Sequence, residues 1–191
     1  MMLELELLRH GETEQGGGLR GSLDDALTEH GWAQLRSALL DAGPWDRLIS
    51  SPLQRCARFA EEVAAARGLP LHYEANLQEL HFGDWEGRSA AQLMETDAEA
   101  LGRFWADPYG FTPPNGEPLL TFEARVLDAL RRLYQAHTGQ RLLLVTHGGV
   151  MRLLLARARG LPRQELLQVN VGYAQRFRLR LNADGQLTEL P

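Results

Sequence analysis

The amino-acid sequence predicts an α/β protein, a three-layer α/β/α sandwich with a mostly parallel central sheet. Segments with strand-like and helix-like patterns alternate along the 191 residues, as they do when helices connect parallel strands. The run RLLLVT, which begins at Arg141, is continuously apolar after its first residue and is typical of a strand buried on both faces. The length suits one domain with a sizeable core, so we expect residues 1–191 to form a single domain.

The first predicted element is a strand at the start of the chain. Leu3, Leu5 and Leu7 alternate with Glu4 and Glu6, which is the period of two expected of a strand. Such alternation is typical of a strand with one half-exposed face. If this strand is central in the sheet, the two glutamates must lie near an open end of the sheet.

Two helix patterns and two short strands follow. The first helix, in EHGWAQLRSALLDAG, comes after Thr28 as N-cap and ends at Gly43-Pro44. The second, in SSPLQRCARFAEEVAAARGLP, has a serine cap, Pro52 in its first turn and a stop at Gly68. The segments WDRLIS and LPLHYE are predicted as the short strands after these helices.

Residues 80–117 are less regular than the rest of the chain. We predict short helices and loops there, forming an inserted, lid-like segment. The amphipathic helix LLTFEARVLDALRRLYQAHTG comes next and leads into the strand RLLLVT. A further helix, HGGVMRLLLARARG, ends at Gly160 before Pro162. The strands YAQRFRLRL and GQLTEL are expected to pair as a hairpin around NADG.

The composition excludes several classes of function. A formal net charge of −5 disfavours a nucleic-acid partner held by general electrostatics. All 20 basic residues are arginine, so neither a P-loop lysine nor a lysine Schiff base is available. The single cysteine, Cys56, fits a reducing compartment, and no segment has the pattern of a signal peptide or a membrane span. We therefore expect a cytoplasmic protein with no membrane partner.

Three groups of polar residues are predicted to meet at one edge of the sheet. Arg9 and His10 follow the first strand, Ser50 to Arg55 follow the second, and His147 follows RLLLVT. Ligands bind outside the carboxyl ends of the strands in sheets of this kind. These side chains are therefore the first candidates for a functional site.

The residue types at that edge suit phosphoryl transfer. Arg9 and Arg55 offer planar guanidinium groups that match phosphate oxygens. Two nearby cations would keep His10 neutral, as a nucleophile must be. His147 precedes paired glycines at the start of a helix, where an imidazolium and free N–H groups would both face an anion. A carboxylic acid is still needed to protonate the leaving oxygen.

Four motifs, in order, resemble those of the histidine phosphatase superfamily, also called phosphoglycerate-mutase-like: LLRHGET, SSPLQRCA, ELHFGDWEG and LLVTHGGVMR. This resemblance covers nearly the whole chain. It implies a phosphoglycerate-mutase-like fold, a phosphohistidine on His10, and Glu79 as the proton donor and later the base. The catalytic residues that it implies are Arg9, His10, Arg55, Glu79 and His147. The phosphate-binding residues that it implies are Arg9, Thr13, Gly16, Arg55, His147 and Gly148. It also implies that neither a metal nor an organic cofactor is required.

Two positions depart from the family's pattern. The family usually has an asparagine that touches phosphate where this chain has Gly16. Backbone N–H groups of Gly16 to Gly18 offer one replacement, and weaker phosphate binding is the alternative. The family's usual threonine in the helix after the arginine is Phe59 here. We expect that change to act on packing or on groups that support the site.

The segments FGDWEG and PPNGEPLLTFEARV resemble the α-ribazole phosphatases, which act late in the assembly of the cobalamin nucleotide loop. This implies a small phosphate ester, α-ribazole 5′-phosphate, as substrate. A broad-specificity phosphatase and a phosphoglycerate mutase of the same superfamily are the alternatives. Aromatic residues of the lid-like segment, Trp105 and Phe111, are candidates for recognising the leaving group.

Two alternatives belong to other classes. A metallohydrolase would use His10, His147 and acids as metal ligands, but no HExxH or similar pair is present. An inactive phospholigand-binding protein is suggested by the missing asparagine at Gly16. A homodimer through an edge strand is compatible with the sequence, which does not specify the oligomeric state.

Overall fold

A computed structural model describes residues 1–191, and its helices and strands follow the predicted alternation. The strands are β1 (Leu3–Arg9), β2 (Arg47–Ser50), β3 (Leu71–Tyr73), β4 (Arg141–Thr146), β5 (Arg176–Leu181) and β6 (Leu187–Leu190). The α-helices are α1 (Glu29–Ala38), α2 (Gln54–Arg67), α3 (Ala90–Thr96), α4 (Ala98–Ala106), α5 (Leu119–His137) and α6 (Gly148–Ala158). Short 3₁₀ turns lie at Ala75–Leu77, Gly83–Trp85 and Arg163–Gln168.

The six strands form one sheet in the order β3-β2-β4-β1-β5-β6. Strands β1 to β4 are parallel to one another, and only β5 runs in the opposite direction. The prediction of a mostly parallel sheet is confirmed, as is the antiparallel hairpin of β5 and β6. Because β1 and β2 lie on either side of β4, the loops that leave these strands start side by side.

Helices cover both faces of the sheet, which confirms the three-layer sandwich. In β4, Leu142 and Leu144 belong to a core shared with α5 and α6, whereas Leu143 and Val145 belong to a core shared with α1 and α2. Successive side chains of a strand point to opposite faces. The continuous apolar run therefore reflects burial on both sides.

The two glutamates of β1 are each paired with a basic or indole group. Glu6 is buried, accepts a hydrogen bond from Trp45 Nε1 at 2.6 Å and forms an ion pair with Arg176. Glu4 is half-buried and lies 3.2 Å from Arg141 Nε. Only Glu4 fits the expectation of an open end, and Glu6 is tolerated inside because its carboxylate is satisfied.

Helix α2 begins later than predicted. Ser51 does not cap the helix, and Pro52 lies before its first turn, because α2 starts at Gln54. The Oγ of Ser51 lies 2.7 Å from His147 Nε2, while Asp24 Oδ1 accepts the hydrogen bond from the Gln54 amide at 2.7 Å. A carboxylate from another loop thus satisfies the first amide of the helix, and Ser51 Oγ, which accepts from the Leu53 amide at 3.3 Å, also contacts the neighbouring histidine.

The segment between β3 and α5 packs on the α5–α6 face of the sheet. Trp85, Leu93, Leu101 and Phe104, from its helices and turns, belong to the same core as α5 and α6. This agrees with the short helices predicted there. None of the helices in the structure is both long enough and apolar enough to cross a membrane.

Candidate active site

The structure brings the predicted strand-end residues to one edge of the sheet. Arg9 is the last residue of β1 and is in register with Thr146, the last residue of β4. Ser50, at the end of β2, is in register with Val145. The loops that follow therefore start from adjacent positions, as the topology of a parallel sheet requires.

His10 is buried and held in one tautomer. Its Nδ1 lies 2.8 Å from the carbonyl oxygen of Gly11, and the residue is only 5% exposed. Because a carbonyl oxygen only accepts hydrogen bonds, Nδ1 carries the proton and Nε2 keeps its lone pair. Burial lowers the pKa of His10 to about 3, and the charges of Arg55, Arg9 and Arg20 act in the same direction. The ring is therefore neutral and able to act as a nucleophile at physiological pH.

Arg9 is fixed by a carbonyl oxygen and an aromatic ring. Its Nη1 donates to Val171 O at 2.6 Å, and its guanidinium carbon lies 4.6 Å from the centre of the Tyr173 ring. The Nε is buried and donates to no acceptor in the protein. Burial lowers the pKa of Arg9, which remains a cation all the same. An anion is the partner that such a group favours.

Arg55 is completely buried and is also held by backbone carbonyls. Nη1 donates to Leu23 O at 2.5 Å and Nη2 donates to Gly21 O at 2.8 Å. Its Nε, like that of Arg9, has no acceptor in the protein. Two guanidinium groups, one buried and one partly buried, are thus oriented in advance, and the Nε–H of each has no acceptor in the protein.

His147 lies beside His10, with ring centres 5.4 Å apart. It is fully buried, and its Nε2 is 2.7 Å from Ser51 Oγ. Burial, followed by the charge of Arg55, holds the pKa of His147 well below its ordinary value. The expected imidazolium is therefore wrong for the ligand-free site, because burial and the nearby charges of Arg55 and Arg9 disfavour a further positive charge.

Glu79 is oriented by two backbone amides. Oε1 accepts from the Leu80 amide at 2.9 Å, and Oε2 accepts from the Gly149 amide in the first turn of α6 at 2.8 Å. Arg125 holds the backbone on which Glu79 sits, donating to its carbonyl oxygen at 2.9 Å and forming an ion pair with Glu117 at 2.7 Å. The carboxylate is therefore fixed at the start of the helix that follows His147.

The other acids considered near these motifs have structural partners. Glu12 accepts from Thr28 Oγ1 at 2.8 Å, and Asp84 accepts from Asn115 Nδ2 at 3.0 Å. Glu86 accepts from loop amides, which ties the loop before α1 to the segment after Glu79. None of these three carboxylates reaches the start of α6.

The remaining predicted phosphate-binding residues differ in their surroundings. Thr13 is buried, and its Oγ1 has no protein partner. Gly148, the first residue of α6, lies between Arg9 and Arg152, since a Cβ placed there would be 3.2 Å from Arg9 Nε and 3.1 Å from Arg152 Nη1. The amide of Gly16 already donates to Thr13 O at 3.1 Å, so the prediction that the amides of Gly16 to Gly18 bind an oxyanion is wrong for Gly16 and stays a prediction for Gly17 and Gly18.

Phe59, at the family's usual threonine position, is a packing residue. It is buried, and its ring meets Trp32 edge-on with ring centres 5.9 Å apart.

Several residues around the site were not identified from the sequence. Arg152 follows Gly148 by four residues on α6, so helix spacing alone could have suggested that it shares the same face. Arg20 lies in the glycine-rich loop EQGGGLRG after β1, but no local pattern indicated that its side chain turns inward. Asp25, Arg125 and Tyr173 come from segments whose sequence pattern gives no signal of the site.

A cavity of about 410 Å³ adjoins Glu79. Most of its lining is apolar, and the polar side chains that reach it are Glu79, Arg152 and Gln168. Trp105 lines the cavity, whereas Phe111 packs against Trp85 at 5.8 Å between ring centres. Trp105 therefore stays a candidate for leaving-group recognition, whereas Phe111 does not line the cavity.

The metallohydrolase alternative has no ligand cluster. No three His, Cys, Asp or Glu side chains are grouped so that they could hold a metal ion. The predicted pair of His10 and His147 has no third ligand of this kind.

Comparison with known proteins identifies the family. The model of the histidine phosphatase superfamily (branch 1) matches residues 5–190. An adenosylcobalamin/α-ribazole phosphatase of Salmonella typhimurium is 37% identical over 173 residues, covering 88% of this chain and 86% of that protein. The crystal structure of the α-ribazole phosphatase from Shigella flexneri is 34% identical with a TM-score of 0.84, covering 98% of this chain and 94% of that one. A mycobacterial glucosyl-3-phosphoglycerate phosphatase, 25% identical, has a TM-score of 0.86 over 99% of this chain and 97% of its own. The chain belongs to the histidine phosphatase superfamily.

Proposed function

We propose that this protein is a phosphomonoesterase that acts through a phosphohistidine on His10 and removes the phosphate from α-ribazole 5′-phosphate. Members of this family act on small phosphate esters. The finer assignment of substrate draws on the names of the relatives and on the volume and apolar lining of the cavity beside Glu79.

The observation that carries the proposal is the state of His10. Its Nδ1 is occupied by the Gly11 carbonyl, its Nε2 keeps the lone pair, and its pKa of about 3 keeps the ring neutral. Arg9 and Arg55 stand close enough for their charges to contribute to that shift, and each has an unused Nε–H. A neutral nucleophile beside preoriented cations is the arrangement that phosphoryl transfer requires.

In the first half of the reaction, Arg9 and Arg55 hold the non-bridging oxygens of the ester. The Nε2 lone pair of His10 attacks phosphorus, and the bond from phosphorus to the ester oxygen breaks. Glu79, in its protonated form, gives its proton to the leaving oxygen and becomes a carboxylate. The products of this half are the alcohol and a phosphoryl group bonded to Nε2.

In the second half, water replaces the alcohol beside Glu79. The Glu79 carboxylate takes a proton from the water as its oxygen attacks phosphorus, and the bond from phosphorus to Nε2 breaks. Inorganic phosphate leaves, His10 returns to the neutral form, and Glu79 is protonated again. Hydrogen bonds from the Leu80 and Gly149 amides hold the carboxylate in place through both halves.

The substrate assignment is supported by the cavity on the leaving-group side. It is lined by apolar side chains, including Phe82, Phe104, Trp105 and Phe122, and it has room for a drug-sized group. An uncharged aromatic base such as benzimidazole suits this lining. A glycerate or glucosyl leaving group has no flat apolar ring to cover this lining, whereas Glu79, Arg152 and Gln168 are polar partners available to the ribose hydroxyls of α-ribazole.

We assign residues 80–117 to a lid over that cavity within a single domain of 1–191. Trp105, from this segment, is 50% exposed although it lines the cavity. Trp105→Ala should raise KM for α-ribazole 5′-phosphate more than for a small alkyl phosphate. Met94→Ala is the matched control, since Met94 is 51% exposed in the same segment and does not line the cavity. Equal effects of Trp105→Ala on both substrates would refute the assignment of Trp105.

The decisive experiment measures phosphate release in excess EDTA from α-ribazole 5′-phosphate, 3-phosphoglycerate and an aryl phosphate. We expect selective release from the first, and none from the His10→Ala variant. His30→Ala serves as control, because His30 is an exposed histidine outside the site. Acid-labile, alkali-stable labelling of His10 by ³²P-substrate should accompany turnover. Activity that needs added metal would overturn the phosphohistidine proposal. Equal rates on all three esters would overturn the assignment of α-ribazole 5′-phosphate as the substrate.

The cytoplasmic location and the homodimer remain predictions. A reduced Cys56 and a cobalamin precursor as substrate both support the first. A dimer through an edge strand would use β3 or β6, which are the two edges of the sheet. Analytical ultracentrifugation of the wild-type chain tests the dimer.

A further inference from the structure

Arg20 has a buried cationic side chain near the end of the glycine-rich loop that follows β1, whose residues 14–17 are exposed. Gly16 and Gly17 of this loop are exposed, whereas the Arg20 side chain is only 6% exposed. Its Nη1 donates to Gly16 O at 2.7 Å, and its Nη2 is buried without a protein acceptor. Burying a long charged side chain with a free N–H is costly unless an anion completes its bonding.

Asp25 connects Arg20 to the phosphate-binding arginine. The Asp25 side chain is 2% exposed, and its Oδ1 lies 2.9 Å from Arg20 Nε and 3.9 Å from Arg55 Nη1. The first of these contacts is an ion pair that is not aligned as a hydrogen bond, so Arg20 Nε is left without an aligned acceptor. The other oxygen, Oδ2, accepts from the Gln15 amide at 3.3 Å. One carboxylate thus ties two guanidinium groups and the loop backbone together.

The charges of these groups do not balance. Arg9, Arg20, Arg55 and Arg152, which lies beside Arg9, carry four positive charges, and Asp25 and Glu79 offset only two of them. Buried charge without compensation is unfavourable, and a phosphoryl group with two negative charges would complete the balance. Arg20 is also among the cations that lower the pKa of His10, so its charge acts at the nucleophile.

The Arg20 side chain also contacts Gly16, the position at which the family usually has an asparagine and this loop has no side chain. Gly16 adopts a left-handed backbone, with φ of +66°, and offers only its carbonyl oxygen, which Arg20 holds. Its amide is used by Thr13. We propose that Arg20 binds the phosphoryl group in place of the side chain that Gly16 lacks, and that Asp25 positions Arg20 for this. This inference rests on the proposed function.

The test measures binding of inorganic phosphate by calorimetry, so it does not depend on turnover. Arg20→Gln should weaken phosphate binding by about 10- to 100-fold, the usual effect of losing a hydrogen bond to a charged group. Arg36→Gln is the control, because it removes an exposed arginine that pairs only with Glu62. Unchanged phosphate binding by Arg20→Gln would overturn the proposal.

A conservative variant covers the case in which Arg20→Gln fails to fold. Arg20→Lys keeps the charge beside Asp25 but loses the planar fork. We expect phosphate binding about 5- to 10-fold weaker with an unchanged melting temperature, and an unchanged phosphate Kd would overturn the proposal.

A double variant tests the replacement of the missing side chain. Asn tolerates a left-handed backbone better than other residues with a Cβ, so Gly16→Asn suits this position. Gly16→Asn should restore phosphate binding in the Arg20→Gln background by at least severalfold, with a smaller gain in the wild type. No restoration would overturn the replacement.

The outcome for Arg20 is separable from that of the proposed function. A wild-type protein that binds phosphate through Arg20 without hydrolysing any ester would refute the phosphatase proposal alone. An active enzyme whose phosphate affinity and KM do not change in Arg20→Gln would refute the role of Arg20 alone.

Discussion

Glu79 and Gly149 are in direct contact, with no room for a side chain between them. Glu79 Oε2 accepts a hydrogen bond from the Gly149 amide at 2.8 Å, and a Cβ on Gly149 would lie 2.1 Å from Glu79 Oε1. The position of Glu79, the proposed general acid, therefore requires a glycine at residue 149.

Gly149→Ala should therefore displace Glu79 and lower kcat by about 10- to 100-fold, part of the contribution typical of a positioned acid. The fold should tolerate the change, because alanine is a better helix former than glycine. Kinetics and a melting curve measure both effects. Gly102→Ala, a helical glycine in α4 with open space around it, is the control and should keep full activity. A fully active Gly149→Ala would contradict the placement of Glu79.

Glu79→Gln should slow hydrolysis according to the leaving group. Alkyl phosphates need the proton most, so we expect a loss of about 100- to 1,000-fold for them and a much smaller loss for aryl phosphates with acidic phenols. A series of esters of graded leaving-group pKa measures this dependence. Glu95→Gln, at an exposed position of α3, is the control. A uniform loss across the series would argue against Glu79 as the acid.

The stability of the ligand-free protein should fall as the pH falls below about 6.5. The pKa of His10 is about 3 in the folded protein and about 6.5 in the unfolded chain, so the unfolded chain binds one more proton between these values. The free energy of unfolding then drops by about 1.4 kcal/mol per pH unit from His10 alone. The lowered pKa of His147 acts in the same direction.

Urea unfolding at pH 7.5, 6 and 5, without phosphate, measures this slope. His10→Gln removes the contribution of His10 and should make the decline with falling pH shallower by about 1.4 kcal/mol per pH unit. His30→Gln, at an exposed position, should leave the slope unchanged. The same slope in His10→Gln and wild type would refute the buried, neutral state of His10.

Cys56 should be inert although it lies next to a proposed catalytic residue. Its Sγ is 3.7 Å from His147 Nε2, but burial raises the pKa of the thiol to about 12, and the side chain belongs to the core. Iodoacetamide at pH 8 should not modify the native protein, whereas the urea-unfolded chain should react fully. Cys56→Ala should retain activity within about threefold and lose about 1 kcal/mol of stability through the lost packing. Mass spectrometry measures the alkylation. Rapid modification of the native protein would contradict the expectation that the thiol is buried and inert.

The sequence by itself determined those features that depend on neighbours along the chain. Helix and strand periods, the Thr28 N-cap, which accepts from the Gly31 amide at 3.0 Å, and the hairpin at the end all follow from short-range patterns. Arg9, His10 and His147 were placed at one edge because each directly adjoins the end of a parallel strand. That inference needs only that these strands are parallel, and the alternation of helices and strands predicts a mostly parallel sheet.

Only the tertiary structure decided the features that join segments distant in sequence. The carboxylate of Asp24 starts α2, Ser51 contacts His147, and Arg125 fixes the backbone at Glu79. The neutral state of both histidines likewise depends on burial and on charges brought together from several loops. Arg20 illustrates the physical reason, because a pattern within the glycine-rich loop cannot show which side chain turns inward. Its direction depends on the Asp25 carboxylate and the Gly16 carbonyl, which meet it only when the loop is folded.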